Sequence, residues 1–289
     1  MNSGVIVMLE RLAGTEPVHP VVAGVSRSAA SRRAVEAAAA EAAARGCPLR
    51  LVHAFSWLPD LAEHQWSSAE LLRQAKALAA AAAPGLRITT ELIEGHPVTG
   101  LLRLSRRAGL TVIGDGDLND RVCLPRDATA VQLAARAFGT VMVTRAACPP
   151  AGPVLVGING AADSEQVLRL AVEEAARQDT DLIVVHVGEI GERAHAVEAM
   201  VTGLALDHRV GLRFRVLTGD PTEVLREEAR DASLIVVGAR GEMPYHGLLG
   251  SVAQTLLHHG RGPVVVVRRA RPVAARDMRV GVVSEGGTR

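Results

Sequence analysis

The stretch GARGEMPYHGLLGS, which follows the apolar run LIVV, carries the glycines of this chain that are best suited to binding an anion. Gly238 and Gly241 permit a positive φ or a close approach of the backbone to a ligand. Gly250 and Ser251 precede VAQTLLHHG, whose apolar pattern predicts a helix. Amides at a helix N-terminus lack intrahelical acceptors and bind phosphate. A plain turn closed by a serine N-cap is the alternative, and the loop alone favours neither interpretation.

The loop belongs to the second of two copies of one pattern. The copies begin at Pro20 with PVVAGVSRSAASRRAVEAAAAEAAARGCPLRLVHAF and at Pro153 with PVLVGINGAADSEQVLRLAVEEAARQDTDLIVVHVG. A repeat of this length predicts two domains rather than a solenoid. We place them at residues 1–149 and 150–289, joined by the proline-rich linker AACPPAGP, with a tail from about residue 270.

Each copy alternates apolar strands with longer helical segments. The runs LIVVHV, LIVVGA and PVVVVR are continuously apolar and β-branched, which is typical of parallel strands covered on both faces by helices. We therefore predict an α/β fold in both domains. Such sheets bind ligands at the carboxyl ends of their strands, so the turn at 158–160 and the loop from Gly238 are candidate sites. Asp163 and Gln166 have the spacing of a capping box, which predicts that a helix begins directly after Asp163.

Composition and charge argue against several classes of partner. The net charge is +1 and aromatic residues make up 2%, so neither a nucleic acid nor a membrane surface is indicated. The three cysteines lack a short metal-type spacing, which favours a reducing compartment. The N-terminal apolar run is too short for a signal peptide, and no apolar run approaches the roughly 18 residues of a membrane helix. We expect a cytoplasmic protein.

The order strand, Gly-x-x-Gly, spacer, Gly-Ser, helix and PVVVVR, together with GINGAADSEQVL and LIVVHV, resembles the universal stress protein family. The resemblance covers the chain twice, from about Val18 to Arg145 and from Pro153 to Arg268, as in tandem members of the actinobacterial type. It implies a five-stranded parallel sheet in each domain, of the adenine nucleotide alpha hydrolase-like kind, and a regulatory role in stress. The members that bind ATP carry Gly, two residues, Gly, nine residues and then Gly-Ser or Gly-Thr.

The resemblance implies a binding site for ATP, with or without Mg²⁺, in the C-terminal domain alone. Its positions are the turn after the first strand, the ends of the second and fourth strands, the Gly-rich loop and the start of the following helix. They are Gly157, Ile158, Asn159, Val187, Val237, Gly238, Arg240, Gly241, Gly250, Ser251, Val252 and Ala253. For Arg240, a phosphate contact and a solvated surface position are equal alternatives.

The second copy departs from the family pattern at two places. Eight residues instead of nine separate Gly241 from Gly250. Asn159 stands where the family has an aspartate after the first strand. An amide still forms hydrogen bonds but lacks the charge that would hold a cation or a ribose hydroxyl strongly. Both departures bear on whether this loop closes around ATP.

The first copy departs further. Its loop reads GDGDLNDRVCLPRDA, with Asp117 at the second glycine and with Asp127 and Ala128 in place of the Gly-Ser pair. We expect four carboxylates near the phosphate position, namely Asp115, Asp117, Asp120 and Asp127. Because like charges repel, the first domain is expected not to bind ATP in the family manner.

Three functions remain open at this point. The first is a regulatory module that binds ATP in its second domain, and the second is an interaction module without nucleotide. The third, an ATPase or kinase, is disfavoured because the sequence has no GxxxxGK[ST] and no clear catalytic base. We therefore do not expect an enzyme, although slow hydrolysis is left open.

Two repeated features outside the loop also call for an interpretation. The final strands TVMVTR and PVVVVR are apolar, which predicts their antiparallel pairing across a pseudo-two-fold axis in an intramolecular pseudo-dimer. A homodimer is a further alternative. His53 and His186 end the second strand of each copy, 133 residues apart. We expect them to be packed side chains with a satisfied hydrogen bond rather than nucleotide contacts.

Overall fold

The computed structural model describes residues 19–55, 62–116, 128–147, 149, 151–161, 163–205, 210–239 and 248–268. The N-terminal segment and the tail from about residue 270 lie outside the described residues, as do the loop positions Asp117, Asp120, Asp127, Arg240 and Gly241. The predictions that concern the Gly241 spacer and those three aspartates therefore stay predictions.

The first copy forms five strands and four helices in the described part of the chain. They are β1 (Val21–Gly24), α1 (Ala29–Ala44), β2 (Leu49–Phe55), α2 (Ala62–Ala82), β3 (Ile88–Glu94), α3 (Pro97–Ser105), β4 (Leu110–Gly114), α4 (Thr129–Arg136) and β5 (Val141–Thr144). Helix α1 begins after Ser28, whose side chain accepts a hydrogen bond from the amide of Ser31. That contact is the usual N-cap of a helix.

The second copy repeats this order. Its elements are β6 (Val154–Ile158), α5 (Ser164–Arg177), β7 (Leu182–Val187), α6 (Glu192–Ala205), β8 (Leu212–Leu217), α7 (Pro221–Glu228), a short 3₁₀ turn (Ala229–Asp231), β9 (Leu234–Gly238), α8 (Ser251–His259) and β10 (Val264–Val267). The predicted class, an α/β fold of two tandem five-stranded parallel sheets flanked by helices, is confirmed.

The ten strands form one sheet in the order β3-β2-β1-β4-β5-β10-β9-β6-β7-β8. Within each half all neighbouring strands are parallel. In the first half the chain runs outward from β1 to β3 and then crosses back to β4 on the other side of β1; in the second half β6 to β9 repeat this path. Crevices at the carboxyl ends of the strands open at such switch points, so β6 and β9 frame the place where a ligand is expected.

The two halves join through β5 and β10, which pair antiparallel. The paired residues are Val143 with Val264, Met142 with Val265, and Val141 with Val266. All of these side chains are buried. The final strand of each half therefore has a hydrogen-bonded neighbour on both sides instead of an open edge.

Apolar residues alternate between the two faces of the sheet, as the period of a strand requires. Val21 and Val154 belong to the hydrophobic cluster on one face, whereas Val22 and Leu155 belong to the cluster on the other. Each cluster contains residues of both halves. The core is therefore continuous across the β5–β10 junction on both faces.

Four charged side chains bridge α1 of the first half and α5 of the second. Glu41 accepts from Arg177 at 2.7 Å and from Arg45 at 2.9 Å, and Arg45 also lies 3.4 Å from Glu174. Glu174 and Arg177 form a further pair on α5. The side chain of Glu174 is only 2% exposed. Burial and the neighbouring charge of Glu41 outweigh the two arginines and raise the pKa of Glu174 to about 7.

The raised pKa of Glu174 predicts a pH-dependent stability. The folded chain holds this proton more tightly than the unfolded chain, so the stabilisation is complete below the ordinary value of 4.5 and is lost as the pH rises through about 7. At about 1.4 kcal/mol per pKa unit, the loss is on the order of 3 kcal/mol. Glu174→Gln should remove this dependence, which urea unfolding between pH 5 and 8 measures.

Glu165→Gln is the matched control for this experiment, because Glu165 lies on the same helix in a well-exposed pair with Arg169. An exposed pair contributes little to stability. The control should keep the pH slope of the wild type. A Glu174→Gln variant with that same slope would contradict the assignment of the titration to Glu174.

Candidate functional site

A cavity of about 260 Å³ lies at the carboxyl ends of β6, β7 and β9, where the first turns of α5, α7 and α8 meet. Ten of the twelve predicted site residues line it: Gly157, Ile158, Asn159, Val187, Val237, Gly238, Gly250, Ser251, Val252 and Ala253. The other two, Arg240 and Gly241, lie outside the described residues. Parallel strands bring these separate segments together because their carboxyl ends share one edge of the sheet.

The floor of the cavity is a close contact between β6 and α7. A Cβ atom added to Gly157 would lie 2.9 Å from Cδ1 of Leu225. The first copy has the same contact, because a Cβ on Gly24 would lie 3.2 Å from Cδ1 of Leu101. Packing of the third helix on the first strand therefore accounts for a glycine at this position in both copies.

The turn after β6 is organised by Asn159. Its Oδ1 accepts a hydrogen bond from the amide of Ala161 at 3.0 Å and lies 3.5 Å from the hydroxyl of Ser164. The next residue, Gly160, has a φ of +76°, a conformation that favours glycine. Asn159 thus ties the turn to the start of α5 at the wall of the cavity.

The predicted capping box at the start of α5 is wrong. Asp163 occupies the N-cap position, but its side chain makes no capping hydrogen bond, and its backbone is already helical at φ −95° and ψ −5°. The side-chain Nε2 of Gln166 donates to the carbonyl of Arg268 at 3.5 Å instead of reaching back to the cap. Asn159 instead contacts the hydroxyl of Ser164 at the start of α5, and Asp163 lines the cavity.

Seven lining residues were not predicted as part of the site: Asp163, Ser164, Val167, Asp220, Pro221, Thr222 and Leu225. Asp220 caps α7 by accepting from the amides of Thr222 at 2.8 Å and Glu223 at 3.2 Å. The hydroxyl of Thr222 and these amides lower the pKa of Asp220, so it stays ionised. The order Asp, then Pro at the first helical position, is a helix-start signal that could have placed α7 at this edge.

Helix α8 presents its N-terminus to the cavity without a side-chain cap. Gly250 is the N-cap residue, with extended backbone at φ −65° and ψ 153°. It has no side chain that could accept from the first-turn amides of Ser251, Val252 and Ala253. Those amides carry the positive end of the helix dipole. In the described part of the chain, the cavity is therefore lined both by the first turn of α8, which has no side-chain cap, and by Asp163 and Asp220 at the starts of α5 and α7.

The expectation that Asp115 faces a phosphate position in the first copy is wrong. Its side chain is 1% exposed, and its Oδ2 accepts from Nη1 of Arg145 at 3.2 Å. A buried guanidinium requires a counter-charge, and Asp115 supplies it. The carboxylate of Asp115 therefore forms a buried ion pair and does not face a ligand site.

At the corresponding carboxyl ends of the strands in the first domain, other contacts hold β4 and β5 close to the start of α1. The hydroxyl of Thr144 donates to the carbonyl of Ala30 at 3.1 Å, which ties β5 to the start of α1. A Cβ on Gly114 would lie 2.6 Å from the carbonyl carbon of Ala30. Val267 is the counterpart of Thr144 in the second copy and has no hydroxyl for such a bond.

The two repeated histidines form equivalent hydrogen bonds. Nδ1 of His53 lies 2.8 Å from the carbonyl oxygen of Val25, and Nδ1 of His186 lies 2.9 Å from that of Ile158. His186 is 4% exposed and does not line the cavity. The predicted role as packed side chains with a satisfied hydrogen bond is confirmed, and it links the first two strands of each half.

The two doubly wound halves of the sheet, with a glycine-lined cavity at the switch point of the second half, define an α/β protein of the adenine nucleotide alpha hydrolase-like class. The sequence pattern described as the universal stress protein family matches residues 17–145 and again 151–268. The chain belongs to the universal stress protein family, in its tandem two-domain form.

The chain is similar over most of its length to curated members of that family. It is 30% identical over 297 residues to a universal stress protein of Mycobacterium tuberculosis, covering 87% of this chain and 98% of the relative. It is 30% identical over 283 residues to one of Mycolicibacterium smegmatis, covering 86% and 96%. A solved universal stress protein of Archaeoglobus fulgidus has a TM-score of 0.69 at 18% identity, covering 86% of this chain and 98% of that one, and supports the fold alone.

Among the helices that the structure describes, none is both long and apolar enough to cross a bilayer.

The turn at Asn159 gives a test of the site's local architecture. Asn159→Leu removes the acceptor for Ala161 and Ser164 and should destabilise the chain by about 1 kcal/mol. Asn159→Asp keeps an oxygen at the same place and should change stability by less than about 0.5 kcal/mol. Urea unfolding of both variants measures this difference. An equal loss in the two would show that Oδ1 does not hold the turn.

Proposed function

We propose that this chain is a regulatory protein of the stress response that binds ATP in the cavity of its second domain, residues 150–289, in the cytoplasm. The observation that carries the proposal is the uncapped N-terminus of α8. Its first-turn amides open onto a cavity that the Gly-rich loop adjoins at Gly238 and Gly250. Phosphate groups bind at such positions because the amides donate and the helix dipole favours a negative charge.

The distribution of charge around the cavity orients the ligand in this proposal. The phosphates lie at the start of α8, away from the carboxylates of Asp163 and Asp220. The nucleoside lies along the apolar wall of Val187 and Val237. There the two carboxylates accept hydrogen bonds from hydroxyl or amino groups. Mg²⁺ carried by the phosphates would lower their repulsion from Asp163.

We propose further that the first domain, residues 1–149, does not bind ATP. Two contacts leave less space at the carboxyl ends of its strands, where the second domain has its cavity. They are the hydrogen bond from Thr144 to Ala30 and the close approach of Gly114 to α1. Asp127 stands at the position of Gly250, where a carboxylate would repel phosphate. One nucleotide per chain is the expected stoichiometry.

The proposed activity is binding rather than catalysis. The sequence offers neither a P-loop lysine nor an assigned base, which are the parts that phosphoryl transfer uses. Of the two carboxylates at the cavity, that of Asp220 already accepts the capping hydrogen bonds of α7. ATP then acts as a signal whose presence alters the surface of the protein.

A dimerisation or interaction module without nucleotide is the second candidate, and the β5–β10 pairing supplies a dimer-like contact within one chain. We propose that the two domains form an intramolecular pseudo-dimer, because each final strand already has its partner within the chain. Light scattering should then give the mass of one chain, 30.3 kDa, with a compact X-ray scattering profile. A profile of two separated domains would contradict the pseudo-dimer, and a doubled mass would indicate a homodimer.

Titration of the purified protein with ATP by calorimetry tests the first proposal. The wild type should bind ATP at up to millimolar concentration, and Gly250→Asp should weaken binding at least about tenfold through repulsion of phosphate. The extended backbone of Gly250 accepts aspartate, which is a favourable N-cap, so stability should be kept or raised. The variant therefore separates loss of binding from loss of folding.

Ala128→Asp is the matched control, because Ala128 is the N-cap residue of α4, the counterpart of α8 in the first domain. It adds the same charge at the same kind of position and should leave the affinity for ATP unchanged. Absence of heat with the wild type at millimolar ATP would refute nucleotide binding. Binding that survives Gly250→Asp would move the site elsewhere.

A further inference from the structure

One arginine of the first domain ends inside the second. Arg145 follows β5 directly, and its side chain is 1% exposed. Its Nη2 donates to the carbonyls of Leu256 at 3.0 Å and Leu257 at 2.7 Å, both in the last turn of α8. The carbonyls in the last turn of a helix carry the negative end of its dipole, and that of Leu256 also accepts from the amide of Gly260 at 2.8 Å. Arg145 therefore holds the C-terminal end of α8.

The guanidinium is itself fixed on its other sides. Nη1 donates to Asp115 at 3.2 Å, and Nε lies 3.5 Å from the carbonyl of Gly262, just before β10. A guanidinium is planar, so contacts in three directions fix its orientation as well as its position. Arg145 is thus a rigid connection between the end of β4, where Asp115 lies, and the end of α8.

Helix α8 carries both this connection and the proposed ATP contact. Its nine residues run from Ser251, at the cavity, to His259. At a rise of about 1.5 Å per residue, the helix is roughly 13 Å long. A helix this short moves as one body, so a shift at its C-terminal end also displaces the amides of its first turn.

We propose that Arg145 is a positioning residue for the cavity of the second domain. It holds α8 at Leu256 and Leu257 and thereby sets the place of the amides of Ser251, Val252 and Ala253. ATP as the ligand rests on the function proposed above, whereas the control of α8 by Arg145 does not. The first domain, which is not proposed to bind ATP, thus shapes the site of its neighbour.

The repeat supplies a matched control. Arg268 is the counterpart of Arg145, 123 residues further along, and its Nη1 donates to the carbonyl of Ala134 at 2.8 Å. Ala134 is the counterpart of Leu257 and lies on α4. Arg268 therefore makes the reciprocal contact on the helix of the first domain, which does not line the cavity.

Three variants separate positioning from folding. Arg145→Met combined with Asp115→Asn removes the cation without leaving a buried carboxylate unpaired. Arg145→Lys keeps the charge but loses the fork, and Arg268→Met removes the reciprocal contact on α4. Hydrogen exchange of the first hydrogen-bonded amides of α8, at 254 and 255, and calorimetric titration with ATP are measured on each variant and on the wild type, at full chain length.

The double variant should exchange the amides at 254 and 255 about tenfold faster and bind ATP about five- to tenfold more weakly, which is the usual range for a residue that couples two parts of a protein. Arg145→Lys should fall between this variant and the wild type. Arg268→Met should speed exchange in α4 and change both readouts at α8 by less than about twofold.

Unchanged exchange at 254 and 255 in the double variant would overturn the proposal. Equal weakening of ATP binding by Arg268→Met would also overturn it, because a general loss of the domain junction would then explain both. A wild type that binds no ATP would refute the proposed function alone. In that case the exchange comparison still decides whether Arg145 sets the first turn of α8.

Discussion

The short antiparallel ladder between β5 and β10 fixes the position of one half relative to the other. The remaining contacts between the halves depend on that position. It pairs Val143 with Val264 and Val141 with Val266, all of them buried. Because side chains alternate along a strand, a slip of one residue would turn the apolar faces of both strands to the wrong layers. The same register brings Arg145, the residue after β5, to the last turn of α8. It also lets α1 meet α5 across the β5–β10 junction. Both hydrophobic layers continue over the junction for this reason.

Buried charge is the second constraint on this junction. Arg145 with Asp115, and Glu41 with Glu174 and their arginines, are ion groups that are largely removed from water. Desolvation offsets much of the attraction in such groups, so their net contribution to stability is small while removal of one partner is strongly destabilising. These groups are satisfied in one arrangement of the halves, which is the arrangement that the apolar register also requires. They specify geometry more than they add stability.

The repeated apolar runs made the strands, the helices and the parallel sheet predictable, because covered parallel strands read as continuous β-branched segments. The cavity was predictable to the same extent, since its residues follow strands whose carboxyl ends share one edge. Long-range partners were not predictable from local sequence. From the sequence, Asp115 is a loop carboxylate, and only the fold places Arg145 beside it. Asp163 has the sequence position of a helix cap, but in the fold Asn159 makes the hydrogen bond in this turn. The position of Asp220 depends on how α7 folds back over β6.

The joining of β5 to β10 within one chain also sets how the assembly responds to dilution. Two separate copies that met through the same strands would come apart as their concentration fell, following mass action. A linker as short as AACPPAGP holds the two strands at a high effective concentration that does not depend on how much protein is present. The geometry of α8 and its cavity is therefore the same in a cell with few copies of the chain as in one with many.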